Sequence, residues 1–346
     1  MIKKIMNWEQ WPFKLLYAPI VPIWIWYMIR SRSPWFFTSS NPKLTFGGME
    51  GEPKKEMHDL LPPALCPTYF NVLPHQLFSE IQNNLLLNNI QYPLIVKPEI
   101  GGQGILFRKI NDEAHLRIYH EKVPVEYFIQ SFIPWPVEVS LFYYRHPLER
   151  KGHITGFLQK VPLQVVGDGI QTLKELLMAN SKSQKKWKEL KQRHGENFDK
   201  IISRGEVYKV SYAANHNQGA QFIDLKDEIN DSLIEMLDEI SHGINDFFYG
   251  RYDIMCESIT SLKEGKNFLI LEYNGCGAEP NHFYDTGYTL TGAWKEILKH
   301  WKVLFKISKY NHSHGSPHWP FWKGVRFRSQ TKKYYKLVNA VDKEIP

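Results

Sequence analysis

Cysteine is scarce: Cys66, Cys256 and Cys276 are the only three in 346 residues, far apart and never in a CxxC pair. That spacing excludes a disulfide framework and a cysteine-based metal site, and makes a reducing, cytoplasmic interior the default compartment. Charge of one sign is also in short supply, since 43 Lys and Arg against 36 Asp and Glu leave 43 − 36 = +7. So small and evenly spread a surplus gives no reason to expect a nucleic-acid partner, although it suits an anionic lipid or a phosphorylated ligand. No apolar run is long enough to span a bilayer. The most apolar stretch, residues 12–29, narrows to 15 residues from Leu15 to Ile29, which reach ~22 Å as a helix against a hydrocarbon core of ~30 Å. Pro19 and Pro22 interrupt it, and no small-residue cleavage site follows, so a signal peptide is also disfavoured.

A hydrophobic fraction of 43% is that of an ordered globular chain, and the length suggests about two structural units. The apolar arm, with Trp8, Trp11, Trp24, Trp26 and Tyr27 between Lys3–Lys4 and Arg30–Arg32, has two readings. It is a membrane-surface anchor on the inner face, or a helix packed on the main body or in a dimer contact. Residues 35–67 read as a long ordered loop. Within it, Gly47, Gly48 and Lys54 bring backbone amides and a cation together, either to hold an anionic substrate or simply to turn the chain.

The sharpest signals lie downstream. Leu94-Ile95-Val96-Lys97-Pro98 is a short buried strand ending in a lysine, followed by Gly101, Gly102 and Gly104 and a second strand over 105–110. The glycines let backbone amides approach phosphate oxygens, and Lys97 adds a point charge. The run 125–133 is a strand that stops at Pro134-Trp135-Pro136. At such a crossing between lobes, exposed backbone at Gln130, Phe132 and Ile133 can read an adenine edge, and Glu138 can accept from ribose hydroxyls. Finally, two apolar strands at 250–255 and 268–274 carry Arg251 and Asp253, and Glu272 and Asn274. Alternation along a strand puts Glu272 and Asn274 on one face with Asp253 able to meet them, an all-oxygen set suited to Mg²⁺. A plain salt bridge among Arg251, Asp253 and Glu272 is the competing explanation.

In this order, the motifs resemble the ATP-grasp superfamily, most nearly the D-alanine-D-alanine ligase branch, over about residues 76–305. The segment Val165-Val166-Gly167-Asp168-Gly169 with Thr172-Leu173 resembles cyanophycin synthetase, and Ala214 to Gly219 resembles the family's Asn-containing loop, with Asn215 as its asparagine. The resemblance implies an α+β, ATP-grasp fold in which two α/β lobes clasp the nucleotide, here with an aromatic N-terminal arm. It implies ATP and Mg²⁺ (or Mn²⁺) as cofactors, and an ADP-forming ligase that activates a carboxylate as an acyl phosphate for attack by an amine. The expected divisions are an arm (1–75), a small lobe (76–135), a large lobe (136–310) with a basic insertion near 174–200, and a basic aromatic tail (311–346). The family's earlier phosphate lysine has no counterpart between Lys55 and Lys97, which points to Lys160 or Lys209 as substitutes. The usual N-terminal substrate domain is replaced by the arm.

Further candidates follow the metal strands. Gly277, with Gly275 and Cys276, can offer amides to an oxyanion. His216, Glu279, Asn281, His282 and Tyr284 are candidates for substrate contact or proton transfer. The competing functions are a phosphotransferase acting on a non-carboxylate acceptor, and a membrane-associated nucleotide-binding module without turnover.

Overall fold

The computed structural model describes residues 8–102, 104–244 and 247–345. Lys3, Lys4 and Gln103 of the motifs above lie outside them, as does the Asn217 side chain. Eleven strands form among the described residues: β1 (Tyr69–Val72), β2 (Leu94–Pro98), β3 (Arg108–Ile110), β4 (Tyr127–Ser131), β5 (Val137–Tyr144), β6 (His153–Val161), β7 (Gln164–Val166), β8 (Val207–Lys209), β9 (Gln221–Asp224), β10 (Tyr249–Cys256) and β11 (Phe268–Asn274). They make a four-stranded sheet β1-β4-β2-β3, a five-stranded sheet β11-β10-β5-β6-β9 and a two-stranded ribbon β7-β8. Mixed helix and antiparallel sheet is the fold class that the motifs lead one to expect.

The chain divides into two interleaved units. One comprises Met1–Pro67, Ile133–Gln159 and Phe222–Tyr334; the other comprises Thr68–Phe132, Lys160–Gln221 and Tyr335–Pro346. The sequence boundary at 135/136 therefore moves to 132/133. The arm also joins the unit holding β10 and β11, and residues after 160 return to the unit holding β2.

In the first unit, alternation along β5, β10 and β11 sends Val139, Leu141, Tyr143, Tyr252, Ile254, Ile270 and Tyr273 into one apolar core. Opposite them in that core lie Leu233, Leu237 and Ile240 of the Asp231–Gly243 helix. A second core gathers the arm's Trp35, Phe36, Phe37 and Phe46 with Phe142, Tyr249, Leu304 and Ile307. The Val21–Ser31 helix lays Trp24 5.0 Å from Trp301 and Tyr27 4.4 Å from Phe305. Its other side, with Ile25, Trp26 and Ile29, is exposed. No helix among the described residues is long and apolar enough to cross a membrane. The basic tail forms much of the Phe321–Val341 helix.

In the second unit, the β2-β3 hairpin pairs Leu94 with Ile110, but β3 begins only at Arg108, later than the strand expected from Ile105. The basic insertion near 174–200 is helical but not a single helix. It is three, Leu173–Ala179, Ser181–Gln184 and Trp187–His194, because Leu173, Leu177, Leu190, Phe198 and Ile202 build a core of their own beneath the lysines.

Candidate functional site

The polar face of the first unit's sheet is where functional side chains converge. Across β10 and β11, Arg251 is opposite Asn274 and Asp253 is opposite Glu272. Paired residues share a face, so all four project to the side away from the apolar core. A bulge after Asp253 shifts the register and ends the polar run, with Ile254 then opposite Ile270. Asp253 is 3% exposed. It accepts from Arg251 Nε (3.1 Å) and Nη2 (3.0 Å), with Asn274 Nδ2 at 3.4 Å. Burial alone would lower the Arg251 pKa, but the charges of Asp253, Glu272 and Glu279 outweigh it and hold the guanidinium above its ordinary value. Of the salt bridge expected among Arg251, Asp253 and Glu272, the Arg251–Asp253 pair is present, and Glu272 and Asn274 stand opposite these two residues on the same face.

Two acids adjoin this set. Glu279 accepts from Tyr17 Oη (2.7 Å) and Tyr284 Oη (3.1 Å). Burial raises its pKa, against the lowering effect of both hydroxyls and Arg251. Glu52, which the motifs did not single out, has a fully buried Oε2 without a hydrogen-bond partner. Its pKa is raised by burial first, and the charge of Glu272 adds to the rise. Its only sequence signal is its place between Gly51 and Pro53. Lys54 begins the Lys54–Leu60 helix and lowers the Glu52 pKa. On the neighbouring strand, Ser140 is opposite Asp253 and Glu138 is opposite Met255.

The glycines around this face are corrected. The Cys276 and Gly277 amides already donate to the Gly47 and Gly48 carbonyls (3.0 and 2.9 Å). Gly277 therefore has no amide to offer an oxyanion. Gly47 and Gly48, at φ +68° and +72°, lie so close to Gly275 that a Cβ on Gly48 would sit 2.6 Å from its Cα, and Asn41 ties the same loop to Tyr249 O (2.8 Å). The pair acts as a strap between the arm and β11. Buried Cys276 has a thiol pKa pushed well up, chiefly by burial, which disfavours a nucleophile. His282 is also reassigned: its Nε2 lies 3.4 Å from Glu296 Oε1 and its ring is buried.

The second unit carries the other candidates. Lys97 and Lys160 are both buried, on β2 and β6. Gly104, at φ +79°, needs a glycine, since a Cβ there would lie 3.0 Å from Ala213 Cβ and 3.6 Å from Asn215 Nδ2. The glycine loop and the Asn215 loop are thus brought together, with His216 beginning a single 3-10 turn beyond. Gly102 faces open space and a Cβ on Gly101 would meet Pro98. Gln130 on β4 is buried with Oε1 lacking a partner. Phe132 ends this unit and Ile133 begins the other, so the crossing falls where the strand run was expected to stop. Exposed Lys209 lies 5.9 Å from the Tyr212 ring. The sequence reading missed Lys109, whose Nζ stands 4.5 and 4.7 Å from the Phe132 and Tyr212 rings.

For Mg²⁺, Asp253, Glu272 and Asn274 are a fitting donor set: oxygen donors on one rigid face, with more carboxylates than the single guanidinium can neutralise and a partnerless Glu52 oxygen nearby. No family model and no curated protein matches the chain. Among solved structures, it is similar to D-alanine-D-alanine ligase from Bacillus anthracis complexed with ATP (12% identity, 79% of this chain and 72% of that one, TM-score 0.43). It is similar to the D-alanine-D-alanine ligase from Coxiella burnetii (10%, 84% and 64%, 0.42). It is also similar to a bifunctional glutathione synthetase from Pasteurella multocida (14%, 71% and 36%, 0.36), of whose length it spans about a third.

Proposed function

We propose that the chain is an ATP- and Mg²⁺-dependent, ADP-forming ligase that activates a carboxylate as an acyl phosphate for attack by an amine. The observation that carries this reading is the direct pairing of Asp253 with Glu272 and Arg251 with Asn274 on a sheet whose opposite face is apolar. Acids so placed need a counter-charge, and one guanidinium is not enough.

In this reading, Asp253, Glu272 and Asn274 hold Mg²⁺, with Mn²⁺ as a substitute. When bound, the ion offsets charge growing on phosphoryl oxygens. Arg251 is a fixed cation on the same face, and its fork geometry matches phosphoryl oxygens as well as it matches Asp253. Lys97 and the amides at Gly101, Gly102 and Gly104 hold nucleotide phosphates, with Lys160, Lys209 or Lys109 supplying the earlier cation. The backbone at Gln130, Phe132 and Ile133 reads the base, and Glu138 accepts from the ribose. Asn215 and His216 are substrate-side groups next to the glycine loop. Glu279, biased toward its protonated form and oriented by Tyr17 and Tyr284, gives or takes the proton that moves when the amine attacks. Gly47, Gly48 and Lys54 belong to the substrate side of the arm. A cytoplasmic location, with the exposed face of the Val21–Ser31 helix against the inner membrane surface, completes the proposal.

The test is a screen of carboxylate and amine pairs with ATP and Mg²⁺, followed by mass detection, with Glu272→Gln as the blank. ADP and phosphate released only when both substrates are present support the ligase, and hydroxylamine must trap the activated carboxylate as a hydroxamate. A stable phosphorylated product that hydroxylamine leaves untouched would make it a phosphotransferase. Nucleotide binding without turnover on any pair would leave only a binding module.

A further inference from the structure

We infer that His282, Glu296 and His300 form a second metal site, of the Zn²⁺ type and separate from the carboxylate set on β10 and β11. Glu296 and His300 are one turn apart on the Leu290–Ser313 helix, so their side chains share a face. His282 comes from the single 3-10 turn Asn281–Phe283 that follows β11. Their ligand atoms lie within 4.8 Å of one another. Glu296 Oε1 is 3.4 Å from His282 Nε2 and 3.2 Å from His300 Nε2. A tetrahedral ion bound at ~2.0–2.1 Å sets its ligand atoms about 3.4 Å apart, so two of the three edges already have the required length.

Hydrogen bonding to Glu296 leaves the cluster only partly satisfied. His282 is 5% and His300 1% exposed, yet neither Nε2 has a hydrogen-bond partner among the described residues. The distances to Glu296 are short enough, so direction is what fails. Two buried imidazole nitrogens within 3.4 Å of one carboxylate oxygen, but poorly directed at it, are satisfied by a cation among the three atoms. His300 Nδ1 lies 3.3 Å from Tyr249 Oη, the outer hydrogen bond by which a ligating histidine is oriented with Nε2 left to the metal. His282 is fixed differently: its Nδ1 side abuts Gly156, where a Cβ would approach to 2.3 Å. Phe142 closes one side of the His300 ring at 4.4 Å between centroids. Lys299 Nζ also reaches Glu296 Oε1 (3.4 Å), but its side chain is 56% exposed and free to swing into water.

Two imidazoles and one carboxylate favour Zn²⁺, or Co²⁺ and Ni²⁺, over the hard Mg²⁺ suited to Asp253, Glu272 and Asn274. Glu296 is 15% exposed, which leaves room for a water as fourth ligand. The ion would clip the segment after β11, which carries Glu279, to the long helix. Its role is therefore positional.

The experiment uses the full chain with any affinity tag removed, stripped with chelator and re-equilibrated with Zn²⁺ or Co²⁺ in the absence of nucleotide. One equivalent of Zn²⁺ per chain by elemental analysis, together with tetrahedral Co²⁺ absorption bands, is expected. Each of His282→Gln, Glu296→Gln and His300→Gln should weaken binding by roughly 100-fold or more, since even outer-shell changes cost ~10–100-fold. Glu272→Gln should bind Zn²⁺ as the parent does, which separates this site from the proposed ligase chemistry. Wild-type protein that takes up no stoichiometric Zn²⁺ and shows no Co²⁺ bands overturns the inference, whether or not the variants fold. Undiminished binding in His300→Gln overturns it as well, and the triad would then be a metal-free proton-sharing cluster.

Discussion

Replacing Arg251 with Gln tests the charge balance of the polar face directly. Asp253, 3% exposed, accepts two hydrogen bonds from that guanidinium, and Glu272 and Glu279 also bear on it. Removing one partner of a buried pair costs ~3–5 kcal/mol, because the remaining charge stays desolvated. At ~20 for the effective dielectric, two like charges ~4 Å apart add about 4 kcal/mol of repulsion, so the upper part of that range is expected. At about 2 °C per kcal/mol for a chain of this size, the thermal midpoint at pH 7 should fall by roughly 8–10 °C. Arg251→Lys, which keeps the charge but not the fork, should fall by less. Asp253→Asn in the Arg251→Gln background should recover part of the loss, since the orphaned charge is then gone. Scanning fluorimetry with and without Mg²⁺ completes the assay: an ion bound at ~100 times its Kd restores about 2.7 kcal/mol. A shift of under ~2 °C for Arg251→Gln would refute the reasoning, because Asp253 would then be well solvated without its partner.

Three other outcomes are expected. Thiol titration of the folded chain should find only Cys66 reacting quickly, because burial pushes the Cys256 thiol up to about 11 and also pushes the Cys276 thiol well up; fast labelling of Cys276 would contradict the packing described. Gly277→Ala should cost ~1–3 kcal/mol, because its Cβ would fall 2.0 Å from Met49 O, whereas Gly243→Ala, on a helix with open space around it, should stabilise by ~0.5–1 kcal/mol; equal melting shifts would show that the strap yields freely. His318, bonded to Ser39 Oγ at 2.7 Å and stacked on His312, has its pKa lowered to about 4 by burial and then by the His312 charge. The unfolded chain takes up that proton near pH ~6.5 and the folded chain does not, so this contribution to stability is whole above ~6.5 and lost as pH falls toward about 4. His318→Gln should flatten that limb in melts followed from pH 7 to 4, and an unchanged slope would reject the assignment.

The sheet face was legible in the sequence because two strands with period-2 alternation are local objects. Arg251, Asp253, Glu272 and Asn274 could be put on one side from spacing alone, and their register then followed. The Lys97 hairpin and the crossing at Phe132 and Ile133 were legible for the same reason, bounded by glycine and proline. What joins them from far away was not. Tyr17 meets Glu279 across 262 residues, and no periodicity in an apolar arm marks one tyrosine as polar in purpose. Glu52 sits in a loop whose glycines attract attention, although the Gly47 and Gly48 carbonyls turn out to serve the Cys276 and Gly277 amides. In the insertion, lysines at almost every second position hid three leucines that make a core. Gly277 was misread because a glycine pair suggests free amides, and only the strap from Gly47 and Gly48 shows them taken.

The acids explain why this face is better read as a site than as a structural ion-pair network. A network made for stability balances its charges, because each unpaired buried carboxylate costs several kcal/mol. Here Asp253, Glu272 and Glu279 bear on Arg251, while Glu52 stands between the opposing charges of Lys54 and Glu272. The fold responds by shifting Glu279 and Glu52 toward their protonated forms and by aiming two tyrosine hydroxyls at Glu279. These are partial remedies, and the charge of Lys54 only lessens the rise at Glu52. Sheet residues with an apolar core behind them could have been threonine or valine at no cost to the register. In the proposed reading, what sustains acids there is a ligand that arrives with positive charge, and three oxygen donors on adjoining strands suit a hard divalent cation better than a basic side chain.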